Sequence, residues 1–437
     1  YNTMLNNPSL RNLILIWMAW AVIIIGFQTL VDSRMQPARP DYAVEWTVEW
    51  TLEDSQDGNI YLTEPFMNNQ VSMDSEYYLS IATGGYDDPD ARTVRTRSGR
   101  AISLNYAFFP LYPLVSGAVA TPLRALNLTP IAASTLAGVL VSLVGTLAGM
   151  IALYDLTRKE LEESGGLRTA FYLLIFPTAF FLAQVYTEGL FVGLAFGCLA
   201  LARRRQILLA GVLGALAVWT RSLGLALVIP LALAWLGTVD WQRLRNRAPA
   251  SAAVPIVEGQ GGAVAVTERG LGSEVLRLVI SGLAVLLPIA AFLLWRQAFG
   301  RNFDLVQDLW FGRTLFDFGR MLSGWDFAFK AIISGEILQM RVYYLLELAS
   351  IILALVACLF TLRRYPGVAL FGLAALVIAV TSGAPQSLVR YMLAVPSIYI
   401  FLSRLGRYTA FDRAWTLFSI LLLGMQTALF TWDMWVA

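Results

Sequence analysis

Residues 207–236 read ILLAGVLGALAVWTRSLGLALVIPLALAWL, an apolar run interrupted by one charge, Arg221. A helix rises about 1.5 Å per residue, and about 20 apolar residues cross a hydrocarbon core. The run is too long for one span, so Arg221 marks a break between two membrane helices. Runs of this kind recur from end to end. The candidate spans are 11–31, 130–154, 168–183, 187–202, 206–220, 222–238, 275–297, 342–362, 366–383, 389–404 and 414–434. Composition agrees: 57% of the 437 residues are hydrophobic and 14% are charged, with a mean hydropathy of +0.62. A soluble domain carries roughly 25% charged residues. The fold class expected is therefore an all-α, polytopic membrane protein of a single domain, 1–437.

Direction follows from arginine. Short loops rich in Arg face the cytoplasm, and the clusters are Arg203–Arg205, Arg243 with Arg245 and Arg247, Arg363 with Arg364, and Arg404 with Arg407 and Arg413. All fall on one side if 107–125, which contains Pro110, Pro113 and Pro122, is re-entrant or interfacial. The expectation is about 11 crossings, with the N-terminus inside and the C-terminus outside. The loops 32–106 and 298–341 are then exoplasmic. The stretch 239–274 is cytoplasmic and has no helical or strand period, which reads as a flexible linker. Within the first loop, Val44–Glu53 alternates apolar and polar residues and predicts an edge strand or hairpin. Its four-residue spacing of Glu45, Glu49 and Glu53 also suits one helix face. The aromatic residues interleaved with Arg and Asp over 305–330 predict helices lying at the interface.

Several classes of function are excluded. A net charge of +2 gives no reason to expect a nucleic-acid partner. Cys198 and Cys358 both lie inside apolar runs, so neither a disulfide framework nor a thiolate zinc site is expected. The chain has no histidine, which leaves Asp, Glu, Tyr and Arg for any chemistry.

The candidates gather at one predicted membrane face. Asp74 and Glu76 open the aromatic segment Met73–Tyr86 on the long outer loop, which ends in Asn105–Pro113. Asp74 reads either as a helix N-cap or as a general base toward an incoming hydroxyl. Glu188 follows Tyr186 and Thr187 and precedes an apolar run. A carboxylate at such a helix end is solvated, or it lines the cavity that Asp74 faces. Arg221, and Arg390 followed by Tyr391, sit at the outer ends of spans, where the guanidinium fork suits phosphate oxygens or anchors the helix at the interface. Asp74, Glu76 and Glu188 are too scattered to predict a metal site, although a divalent ion stays open.

Four of these blocks, in order, resemble the PIG-V family of GPI mannosyltransferase 2 enzymes, within the GT-C class of membrane glycosyltransferases. They are Met73–Tyr86 (the family begins with Trp where this chain has Met73), Asn105–Pro113, Pro177–Phe191, and Trp219–Gly224. A weaker block runs from Arg390 to Pro396. The missing Trp and the absent histidine suit a divergent, prokaryotic member, for which a GPI acceptor does not carry over. The resemblance implies a GT-C-type helix bundle in the cell membrane, or in the endoplasmic reticulum of a eukaryote, with its active site on the exoplasmic face. It also implies an inverting transfer of mannose, or a related hexose, from a polyprenyl-phosphate donor to a lipid or glycan acceptor. Asp74 then serves as base with Glu76 beside it. Glu188, Arg221, Arg390, Tyr391, Tyr186 and Asn105 bind substrate, and no cofactor is expected. The competing reading is a transporter or flippase for a lipid or polar solute, since intramembrane charge also marks transport paths.

Overall fold

Local capping starts the helices where the apolar runs begin. The Asn7 side chain accepts from the Ser9 N–H at 3.0 Å ahead of Pro8, and Thr129 accepts from Ala132 at 3.0 Å ahead of Pro130. The computed structural model describes residues 7–239, 269–312, 317–383 and 385–436. In chain order the helices are α1 (Pro8–Arg34), α2 (Thr47–Trp50), α3 (Ser75–Gly84), α4 (Leu111–Leu123), α5 (Pro130–Leu174), α6 (Glu188–Arg203), α7 (Ile207–Val218) and α8 (Val228–Leu236). They continue as α9 (Arg269–Val306), α10 (Phe318–Ser334), α11 (Leu338–Thr361), α12 (Pro366–Val380), α13 (Leu388–Tyr391), α14 (Pro396–Leu405) and α15 (Thr409–Thr431). Among the described residues the one sheet is a hairpin, β1 (Thr93–Arg95) paired antiparallel with β2 (Ala101–Ser103).

Most predicted spans contain α-helix, but 168–183 and 389–404 are broken, 222–238 opens in a 3-10 turn, and the helices differ in length. Among the described residues, five are long and apolar enough to cross a membrane, or six if the pair around Val395, bent by 80°, counts as one. The segments 130–154 and 168–174 belong to α5, which is two helices joined across a kink at Glu162, and 175–183 continues as a turn and a short 3-10 helix. Helix α4 has 13 residues, or about 20 Å at 1.5 Å per residue, less than the roughly 30 Å hydrocarbon core. Most of the stretch expected as a linker, 240–268, lies outside the described residues.

The edge strand expected over Val44–Glu53 does not form. Thr47–Trp50 is a helical turn flanked by other turns, so the four-residue spacing was the better guide. The cause is local bonding by hydroxyls, which competes with strand pairing. Thr47 Oγ1 donates to Val44 O at 2.6 Å, Thr51 Oγ1 donates to Thr47 O at 2.6 Å, and Asp41 N–H donates to Thr51 Oγ1 at 2.7 Å. Glu45, Glu49 and Glu53 all point to solvent. In 305–330, Gln307–Phe311 and α10 are helical. Phe318, Leu322, Phe327 and Phe329 of α10 are exposed, while Ala328 and Ala331 are buried.

Two features fix the outer loop onto the bundle. Helices α5 and α6 pack backbone against backbone through glycines. A Cβ on Gly145 would sit 2.5 Å from Gly189 O, and one on Gly193 would sit 2.5 Å from Gly145 O. That contact sets the start of α6, and with it Glu188. The second feature is a buried amide network. Gln28 of α1 donates to Asn69 O at 2.6 Å and accepts from Gln70 and Gln184, each at 3.1 Å. Leu111 N–H donates to Trp219 O at 2.9 Å, joining the end of the loop to the break that carries Arg221.

Candidate active site

The loop before α3 makes a tight approach. Met73 has φ +49°, a left-handed conformation uncommon outside glycine, and it turns the chain so that Asp74 precedes the helix. The Asp74 side chain makes no capping bond to α3. Its Oδ2 instead accepts from Arg390 Nη1 at 3.0 Å. The Tyr186 hydroxyl accepts from Asp74 N–H at 3.2 Å and donates to Ser72 O at 3.0 Å, so the third motif block pins the first.

Glu188 heads α6 beneath two arginines. Its Oε1 accepts from Arg221 Nη1 and lies 3.4 Å from Arg390 Nε. Arg221 also donates to Thr187 Oγ1 at 3.0 Å. Both guanidiniums lie against aromatic rings, Arg221 at 4.7 Å from the centre of Tyr391, and Arg390 at 5.3 Å from Tyr186 and 5.4 Å from Phe181. Two acids and two arginines balance in charge, as buried charges must. Side-chain exposure separates the acids: Asp74 is 22% exposed and Glu188 only 3%. Glu188 is placed to hold the arginines, and Asp74 can meet a second molecule.

A gap of about 10 Å³, room for about one water, adjoins this cluster. Glu188, Arg221, Arg390 and Tyr391 form its polar side, and the buried Phe191, Val192 and Leu393 its apolar side.

Six of the predicted residues thus come together: Asp74, Tyr186, Glu188, Arg221, Arg390 and Tyr391. Glu76 and Asn105 lie elsewhere, inside the outer loop. Glu76 is 3% exposed, bonds to Asn59, and pairs with Arg92 Nε at 3.2 Å. Burial pushes its carboxyl above the usual range, with Arg92 pulling the other way. Asn105 is fully buried and donates to Ser80 Oγ at 2.8 Å and Gly85 O at 3.1 Å. Ser80 in turn donates to Asp88 at 2.7 Å, and Tyr61 donates to the same carboxylate oxygen. Burial, reinforced by Asp88, pushes the Tyr61 hydroxyl up to about 12. Asp74, Glu76 and Glu188 each engage a guanidinium, and no group of three or more metal-ligating side chains gathers among the described residues.

Sequence reasoning missed Phe181 and Thr187, which pack on the arginines, and Glu347, whose Oε2 accepts from Val389 N–H at 2.7 Å beside Arg390. Glu347 carried a usable signal, being an acid within the apolar run 342–362.

A family model described as mannosyltransferase (PIG-V) matches residues 11–254, more than half of the chain. Among solved structures, ArnT from Cupriavidus metallidurans bound to undecaprenyl phosphate is similar at 14% identity and a TM-score of 0.44, covering 83% of this chain and 72% of that one. The Archaeoglobus fulgidus oligosaccharyltransferase with zinc and sulfate is similar at 14% identity and a TM-score of 0.42. That match covers 94% of this chain but 53% of the archaeal one, so this chain spans about half its length. The same archaeal enzyme, AglB, with an inhibitory peptide and a dolichol-phosphate matches at 13% identity and a TM-score of 0.38, covering 95% of this chain and 55% of that one. No curated protein matches.

Proposed function

The chain belongs to the mannosyltransferase (PIG-V) family, and on that premise we propose that it moves mannose, or a related hexose, from a polyprenyl-phosphate donor to an acceptor hydroxyl at the exoplasmic membrane face. The observation that carries this reading is the meeting of one accessible acid with two arginines. The donor phosphate takes guanidinium N–H groups of Arg221 and Arg390.

The Asp74 carboxylate accepts the acceptor hydroxyl's proton as its oxygen bonds to the anomeric carbon. The bond from that carbon to the phosphate oxygen breaks, its electron pair stays on the phosphate, and configuration inverts. The leaving group is already an anion, so it needs charge neutralisation rather than a proton, and the arginines supply that. Glu188 keeps them aimed. Tyr186 sets the Asp74 backbone, and Tyr391 lies against both guanidiniums.

Membranes supplied with radiolabelled polyprenyl-phosphate mannose test the reading with wild type and a folded Asp74→Asn variant. We expect label in a new lipid or glycan fraction with wild type, and a loss of about 10²–10⁴-fold with the variant. Equal transfer by both would remove Asp74 as base. No transfer and no donor hydrolysis by wild type would favour transport of a lipid or solute.

A further inference from the structure

We propose that Glu347 is a positioning residue, its buried carboxylate holding the turn that aims Arg390; the inference rests on the donor-binding role proposed above for Arg390. The turn cannot hold itself. Helix α13 is four residues long, too short to be stable alone, and its first N–H groups have no partner within it. Ser387, which leads into it, sits at φ +63°, a costly conformation for a residue other than glycine.

Helix α11 supplies what the turn lacks. Tyr343 and Glu347 lie one helical turn apart on the same face. The Tyr343 hydroxyl accepts from Ser387 N–H at 3.0 Å, and Glu347 Oε2 accepts from Val389 N–H at 2.7 Å. From the opposite side Thr178 Oγ1 donates to Val389 O at 3.3 Å. Arg390 is the next residue, and its guanidinium reaches Asp74 and Glu188.

Packing does not require an acid at this place. Glu347 is fully buried in a helix long and apolar enough to cross a membrane, where a carboxylate is expensive. Its second oxygen, Oε1, is buried without a hydrogen-bond partner. Its other neighbours are the Tyr343 hydroxyl and the backbone of Ser387 and Leu388, so the carboxylate faces the start of α13, and the donor it accepts from adjoins the arginine.

The test compares Glu347→Gln, which keeps a carbonyl acceptor, with Glu347→Leu, which removes it. In the transfer assay we expect Gln within about threefold of wild type and Leu lower in kcat/KM by about 10- to 100-fold, as for a displaced binding group. The loss should fall on kcat and on the KM for the polyprenyl-phosphate donor and leave acceptor KM unchanged. In an Arg390→Ala background, Glu347→Leu should add nothing further, because both changes remove one interaction.

Hydrogen exchange of peptides covering 385–395 reads the structural half without any activity. Leu should speed exchange there, and Gln should not. Should Leu fail to fold, Tyr343→Phe removes the neighbouring acceptor and is read in the same way. Unchanged exchange, or losses that add to those of Arg390→Ala, would overturn the inference. An inactive wild type whose 385–395 exchange still responds to Leu would sink the function proposed above and keep Glu347 as the holder of this turn.

Discussion

Two groups of acids begin two residues apart, at Asp74 and Glu76, and they are satisfied in opposite ways. In the first loop, Glu76 and Asp88 are met by groups of that same loop, namely Asn59, Arg92, Tyr61 and Ser80. Where α6 begins, Asp74 and Glu188 are met by Arg221 and Arg390, which arrive from separate helix breaks. The first group is closed: short neutral donors and one arginine leave nothing for a ligand. The second is exchangeable, since a guanidinium paired with a carboxylate can take a phosphate in its place. Burial alone therefore does not mark a site; the kind of partner does.

The comparison breaks most readily at the arginines. Arg390→Ala should lower kcat/KM for transfer by about 10²–10³-fold, as expected for lost charge stabilisation. Arg390→Lys should recover only part of it, because an ammonium lacks the planar fork. Initial rates across a donor concentration series check this, and values near wild type would remove Arg390 from the site.

Glu76→Gln tests the closed group. It should cost about 1–3 kcal/mol of stability through the weakened Arg92 and Asn59 contacts and leave turnover per folded molecule within about threefold. Thermal unfolding in detergent, alongside the transfer assay, would show it. Lost turnover with intact folding would move Glu76 into the chemistry beside Asp74.

The pH dependence turns on an acid outside both groups. Asp433, just beyond α15, has its carboxyl pushed up to about 6 by burial, while Ser72 and Arg39 pull the other way. An acid held above its unfolded value of 3.8 costs stability when ionised, so stability rises as pH falls through 6 toward 3.8. Asp433→Asn should stabilise the protein at pH 7 by up to about 3 kcal/mol and flatten that dependence. Unfolding measured at pH 4, 5, 6 and 7 would reveal an unchanged slope if Asp433 were not the titrating group.

Much of the site was legible because charge at the end of an apolar run is costly. Arg221, Arg390 and Glu188 announced themselves in that way, and Asp74 stood at the head of an aromatic helix. Glu76 could not be separated from Asp74 by sequence. Residues two apart on a helix face different sides, and only the position of Arg92 shows which side closes on the loop. Asn105 looked like a binding residue, yet its amide N–H groups donate to Ser80 and Gly85 within the loop.

By itself, the sequence determined the class: hydropathy and length require membrane helices, and four motif blocks in order placed the family. Periodicity reports only which residues are apolar along one segment, so it located the helices and not their partners. Tertiary structure decided the pairings. Asp74 meets Arg390 across 316 positions, and Glu347 reaches Val389 across 42. It also decided that Val44–Glu53 bends into a turn, since hydroxyls of Thr47 and Thr51 found backbone acceptors close at hand. Such contacts depend on distances between segments, which no local pattern carries.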